Sequence, residues 1–468
     1  MKRLAAIVVL YACVGSASAE PKLSAGAFAQ DITPTHFPIS VNGNLADKKA
    51  TSAHDPLHAR CLVLGDGTTK IALVVVDSCM VPREIHDAAK AIAAKKTGIP
   101  ASHILISATH THTAPTVTGV FQSDPDEAYV RFLTEKIAEG IVQANSRLAP
   151  AKAGWGSAKE PNQVFNRRWK TKPGAPNLDP FGGQTDRVKM NPGYRANNPN
   201  LLEPAGPIDP EVSVLSIRTA DDKPLALYAN YSLHYVGDMP PLSADYYGVF
   251  AEVMRRKLGA GDRFVAMLSN GTSGDVNNVN FGGPIPPKRG VGERSRLVAE
   301  AVAAAAAKAV PTTFRGDVSL AVAEKELELK VRKPSAEEVR RAEELLAKAK
   351  GRELKGQAEV YARETVLIAN YPDTVKLKLQ AIRIGDLGIA AIPCEVFAEI
   401  GLGIKEKSPL KRTFTVSLAN GYNGYLPTAA QHALGGYETW RARSSYLEVK
   451  AADAIVPAIM ELLAEVAR

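Results

Sequence analysis

The stretch Ala108 to Gly119, ATHTHTAPTVTG, sets His110 and His112 two residues apart directly after the apolar run Ile104-Leu105-Ile106. Alternate residues of an extended chain share a face, so both imidazoles are expected on one side, with Thr109, Thr111 and Thr113 on the other. Two imidazoles at the end of a buried strand can bind one metal ion, or one can bind while its neighbour orients it or moves a proton. A hydrogen-bonded structural pair accounts for the same spacing equally well, and the motif alone leaves both readings open.

Three later segments end in the same manner. Asn230 to His234 carries a histidine past the apolar run Leu225 to Ala229, and Ala390 to Glu395 (AAIPCE) carries a carboxylate past another. Ser417 to Tyr425 (SLANGYNGY) carries a tyrosine past a third. In open α/β sheets the loops after the strands gather into one crevice, where such groups would meet. Each also has a plainer account: His234 as a satisfied core histidine, Glu395 as a carboxylate at a helix N-terminus, Tyr425 as a packed aromatic.

The elements that must position these residues are legible as an alternation. Strands are expected at Ala25 to Asp31, Arg60 to Leu64, Lys70 to Asp77 and His103 to Ser107, with a helix from Pro82 to Lys96. A second set covers Val212 to Ile217, Leu225 to Asn230 and Phe264 to Ser269, with helices over 124–148, Tyr247 to Leu258 and Gly292 to Ala309. Strands resume at Val375 to Ile384 and Leu387 to Ile392. Continuous apolar strands alternating with helices predict an α/β fold, a multi-stranded mixed sheet whose core is covered by helices. Residues 334–364 have the composition of a solvated helical hairpin broken near Gly351, an excursion from that core. From Glu160 to Pro210 the chain is rich in Pro, Gly and Asn without periodicity, which reads as a long functional loop with disorder as the competing account.

Composition narrows the classes. The 468 residues are 45% hydrophobic and 23% charged, a globular balance able to bury an active site. Residues 1–19, MKRLAAIVVLYACVGSASA, run from a basic start through an apolar stretch to small residues, so an exported protein is expected, periplasmic or secreted after cleavage near Ala19. Cys13 faintly suggests a lipoprotein site, but its flanks fit poorly. The three remaining cysteines, Cys61, Cys79 and Cys394, have no CxxC spacing and are odd in number, which argues against a disulfide framework. The formal charge of +8 is scattered and reads as ordinary solubility charge. It leaves peripheral membrane contact open, while the lack of a basic and aromatic cluster argues against nucleic acid.

Taken in order along the chain, these segments resemble the neutral ceramidases, zinc amidases that hydrolyse the amide of ceramide. The resemblance rests on Ala27 to Pro34 (AFAQDITP), Pro56 to Arg60 (PLHAR), Thr109 to His112 (THTH), Asn166-Arg167, Asp209 to Leu215 (DPEVSVL) and Gly274-Asp275-Val276. It continues through Pro393 to Phe397 (PCEVF), Tyr422 to Tyr425 (YNGY) and Tyr437-Glu438, and so spans nearly all of residues 20–468 as one catalytic domain. It implies zinc held by His110, His234, Glu395 and Tyr425, with His112 moving a proton or orienting water and Arg167 and Tyr437 stabilising the oxyanion. The implied substrate is a lipid or small-molecule amide, a ceramide or a smaller N-acyl relative, cleaved by metal-activated water.

Two departures stand out. The family has a serine and a proline after Gly274-Asp275-Val276, where this chain has Asn277 and Asn278. A covalent serine mechanism would be lost with that change, whereas a metal-water mechanism tolerates it, with Asn277 able to hydrogen-bond substrate. The alternative is a metal-containing binding protein with little turnover. The chain also stops at Arg468 without the C-terminal sandwich domain of longer ceramidases, and its 160–210 segment is more polar than a lipid-binding surface. Both point to a smaller or more polar substrate.

Overall fold

The structure is a computed structural model that describes residues 22–349 and 351–468; the expected leader at 1–19, with Cys13, lies outside them. An eight-stranded sheet runs in spatial order Val265–Asn270, Pro224–Tyr231, Glu211–Thr219, Ala149–Lys159, Ser24–Asp31, His58–Gly65, Lys70–Val76, Ile104–Ala108. It is mixed: Lys70–Val76 runs parallel to Ile104–Ala108 and Pro224–Tyr231 parallel to Val265–Asn270, while the other neighbours are antiparallel. A second sheet orders Leu320–Lys330, Thr374–Ile384, Leu387–Ala391 and Arg412–Val416, the last two parallel.

Side-chain alternation explains why the central strands are apolar throughout. In His58–Gly65, Ala59, Cys61 and Val63 point to a helix-covered core, whereas Leu62 and Leu64 point into a core shared with Ile382, Ile389 and Phe414 of the second sheet. The large sheet is therefore covered on one face by the helices Arg83–Thr97, Glu127–Ser146, Asp245–Lys257 and Glu293–Ala309, and on the other by the second sheet. The helices Ala398–Lys407 and Ala451–Ala467 close the second sheet's outer face, giving four layers.

The face-to-face stacking brings strand ends from both sheets to one rim. Ala108 N–H donates to Leu418 O, Ser417 N–H to Asn270 O, Gly271 N–H to Tyr231 O and Ile392 N–H to Val416 O. These bonds stitch together the ends of Ile104–Ala108, Pro224–Tyr231, Val265–Asn270 and Arg412–Val416, where the chemistry-bearing residues were expected.

Two expectations change. The 160–210 segment is not a bare loop: Arg168–Thr171, Val188–Met190 and Leu201–Pro204 form a small sheet, and Phe165–Asn166 pairs with Val276–Asn277. These strands are too short for periodicity to reveal. The expected excursion does form two helices, Ala336–Ala347 and Gly356–Ala369, but the second is packed rather than solvated. Its Val360 and Tyr361 join the core, and its buried Glu364 pairs with Arg443 at 2.8 Å. Cys61, Cys79 and Cys394 are free and buried. No helix among the described residues is long and apolar enough to cross a membrane.

One polar group in this scaffold predicts a pH dependence. Lys90 on Arg83–Thr97 is 1% exposed, and its Nζ donates to Asn420 Oδ1 at 2.7 Å, holding the segment between Arg412–Val416 and Tyr425 from behind. Burial pushes its ammonium from the ordinary 10.5 down to about 8. The fold thus prefers the neutral amine, and stability present above the unfolded value is lost as pH falls through about 8. Urea unfolding should show stability rising by about 2 kcal/mol between about pH 7.5 and 9.5 from this residue. Lys90→Met should remove that slope; an unchanged slope would exclude Lys90 as its source.

Candidate metal centre

His110 does not sit on a strand. Ile104–Ala108 ends two residues earlier, and His110 adopts a left-handed conformation with φ 72°, its N–H donating to Ser78 O at 2.9 Å. Thr111 and Thr113 hydroxyls both donate to Ser243 O, at 3.0 and 2.8 Å, and fix the turn that follows. The alternate-face argument for the two histidines therefore fails, because there is no extended chain at 109–112. The turn nevertheless brings His112 Nε2 within 3.2 Å of His110 Nε2.

The other candidates arrive from separate strand ends. His234 follows Pro224–Tyr231, and its Nε2 lies 3.2 Å from His110 Nε2. Glu395 opens a two-residue strand paired in parallel with Tyr425–Leu426, so Glu395 and Tyr425 are register partners. Glu395 Oε2 is 3.2 Å from His110 Nε2, and all three residues are at most 3% exposed.

These groups fit a bound cation. His110 Nδ1 is 2.7 Å from Cys79 O and His234 Nδ1 is 3.1 Å from Ser273 O, so each ring donates its Nδ1 proton to a carbonyl and turns the Nε2 lone pair inward. Two lone pairs facing one another at 3.2 Å repel unless positive charge lies between them. Two ligands each about 2.0–2.1 Å from a tetrahedral ion stand roughly 3.3 Å apart, so the spacing already suits one ion. Glu395 Oε2 is buried and accepts no hydrogen bond, while Oε1 accepts from Tyr422 OH at 3.0 Å. Burial alone would depress the His110 imidazole, yet the Glu395 carboxylate holds it up to about 10. The cluster thus demands a positive charge, which a proton on His110 supplies when no ion does. His112 and His234 are held well below the ordinary imidazole value by burial and by the neighbouring cations, His110 leading for His112 and Arg167 for His234.

A cationic wall completes the site. Arg167 Nη1 is 3.1 Å from His234 Nε2, and Nη2 donates to Tyr425 OH and to Gly274 O, both at 3.0 Å. Glu438 fixes the guanidinium by accepting from Arg167 Nε at 2.9 Å, and its other oxygen accepts from Arg168 Nη1 at 2.6 Å. Tyr437 packs its ring 5.9 Å from that of Tyr425, and its hydroxyl makes no hydrogen bond among the described residues. Tyr235 stacks on His112 at 3.7 Å. The structure therefore brings together His110, His112, His234, Glu395, Tyr425, Arg167 and Tyr437. Sequence reasoning gave no role to Cys79, Ser273, Tyr235, Arg168, Tyr422 or Glu438; the last two stood inside quoted motifs, and the others carried no signal.

No family model and no curated protein sequence matches the chain. Two solved structures do. A neutral ceramidase from Pseudomonas aeruginosa superposes with a TM-score of 0.71 at 18% identity, over 95% of this chain and 74% of that one. This chain has the neutral ceramidase fold. A structure described as ceramidase complexed with C2 agrees, with a TM-score of 0.70 at 17% identity over 95% and 75% of the two chains.

Within this ceramidase fold, Asn277 is a turn-builder rather than a member of the cluster. Its Nδ2 donates to Asn191 Oδ1 at 2.7 Å and its Oδ1 accepts from Val279 N–H at 2.9 Å, so neither atom of the amide bonds to the histidines or Arg167. Gly43 is a contributor that sequence reasoning missed. It has φ 93°, and a Cβ there would lie 2.4 Å from His112 Nδ1. Gly43→Ala should cost about 1 kcal/mol or more in the strained backbone. It should also displace the His112 ring, so metal content measured by mass spectrometry should stay while hydrolysis falls; an unaffected rate would show the ring is free to move.

Proposed function

We propose that this protein is an exported, zinc-dependent amidohydrolase that cleaves a linear amide of the N-acyl type, ceramide or a smaller relative. The observation that carries this reading is the set of inward-turned Nε2 atoms of His110 and His234 beside the unpartnered Glu395 Oε2. Nitrogen and oxygen donors suit zinc, with Tyr425 as the fourth donor. The likeness in fold to two ceramidases supports the class of bond, and the leader-like residues 1–19 support export.

When bound, the metal supplies a Lewis acid and makes water a better nucleophile near neutral pH. His112, neutral and stacked on Tyr235, accepts the proton of the attacking water at Nε2 and returns it to the departing amine as the C–N bond breaks. Water and amide thus become a carboxylic acid and an amine. Arg167, locked by Glu438, and the free hydroxyl of Tyr437 meet the negative charge that develops on the carbonyl oxygen. A water-based reaction needs no nucleophilic side chain, which is why the asparagine at position 277 is compatible with turnover.

The test is metal analysis of the purified protein together with hydrolysis of ceramides and N-acyl amino acids before and after chelation. One equivalent of zinc and activity that returns with zinc are expected. Metal without hydrolysis of any amide would favour the binding-protein alternative.

A further inference from the structure

Tyr437 separates the metal centre from a cavity on its far side. One side of the residue faces the cluster, where the charges of Glu395 and Arg167 act on its hydroxyl and its ring meets Tyr425. It also lines a cavity of about 250 Å³ together with Leu178, Val188, Met190 and Trp440. Two larger surface clefts, of about 530 and 470 Å³, share no residue with the cluster.

The walls are built rather than incidental. Trp440 Nε1 donates to Asp186 Oδ2 at 2.8 Å, fixing the indole against the 160–210 segment. Asn177 Nδ2 donates to Thr171 Oγ1 at 2.6 Å and to Asp186 O at 3.1 Å, and Arg187 N–H donates to Leu434 O at 2.8 Å. Gly435, with φ 74°, allows Asp186 to approach so closely that a Cβ would sit 2.0 Å from its Oδ1. Leu178 stands at the mouth, 60% exposed. A preformed apolar cavity one aromatic ring away from the reacting groups has the character of a substrate subsite.

We propose that this cavity sets substrate choice by taking a short or flat apolar group that flanks the scissile amide. The inference rests on the amidohydrolase reading and narrows it. At about 30 Å³ for each water-sized group, the cavity holds roughly eight such units, which suits a medium chain or an aromatic ring rather than a long lipid tail.

The experiment uses the zinc-loaded protein and two series of amides, one varying the acyl chain at a fixed amine, the other varying the amine at a fixed acyl group. In one series kcat/KM should rise roughly fourfold per methylene up to about eight carbons and then level. Leu178→Trp, which narrows the mouth, should lower the eight-carbon to two-carbon ratio about tenfold, and Trp440→Ala should move the optimum to longer chains. Length dependence in neither series, or one that both variants leave unchanged, would overturn the subsite. Binding of octanoate and octylamine, followed by tryptophan fluorescence in wild type and Trp440→Phe, reads the cavity without hydrolysis. Saturable binding of one probe that Leu178→Trp weakens would support the subsite even if no amide were cleaved, and then only the amidohydrolase reading would fall. Binding of neither probe would overturn the subsite by itself.

Discussion

His110→Ala is expected to strip the metal from the protein and to lower kcat/KM by about 10³-fold. His110 Nε2 stands 3.2 Å from His234 Nε2, from His112 Nε2 and from Glu395 Oε2, so it is the atom on which the cluster converges. Its loss leaves Glu395 and His234 too few partners to hold an ion, and a metal's contribution to charge stabilisation of several kcal/mol corresponds to about three decades in rate. His112→Ala should behave differently: metal retained, with hydrolysis reduced by about 10² to 10⁴, the range for a lost proton carrier. Elemental analysis beside steady-state kinetics separates the two. Loss of metal from both variants would make His112 a ligand rather than a base, which its contact with His110 makes a sharp alternative.

Glu438→Gln should destabilise the fold by about 3–5 kcal/mol, because it leaves two buried guanidinium groups with an amide in place of their shared carboxylate. The Arg167 and Arg168 side chains are 5% and 1% exposed, and that of Glu438 is 0% exposed. Burial opposes the charge on Glu438, but Arg168 and Arg167 outweigh it and hold the carboxyl below its ordinary 4.5. The carboxylate therefore contributes stability that is present above that ordinary value and is lost as pH falls through the lower folded one. Urea unfolding across the acid range should show a decline in the wild type to which Glu438 contributes and a shallower one in the variant. Hydrolysis should fall as well, since Arg167 is no longer fixed against Tyr425. A loss below about 1 kcal/mol would mean that water screens the three charges.

The framework was legible because buried strands and amphipathic helices write long patterns into the chain. The apolar runs at 60–64, 70–77 and 225–230 and the helix near 82–96 correspond to observed elements within a few residues. The 160–210 segment was not, because its strands are two to four residues long, less than one repeat of any pattern. The second layer was hidden for another reason. A continuous apolar strand says that both its faces are covered but not by what, and here one face meets another sheet where helices were expected on both.

The sequence by itself determined which groups were available for chemistry: His110, His112, His234, Glu395 and Tyr425 at the ends of apolar runs, and Arg167 and Tyr437 within motifs shared with a family. Tertiary structure alone decided how they meet. The left-handed turn at His110 aims its ring where a strand would not, and the carbonyls of Cys79 and Ser273 choose which nitrogen of each ring faces inward. Both effects arise from backbone groups, which every residue carries alike, so no residue type announces them in the sequence.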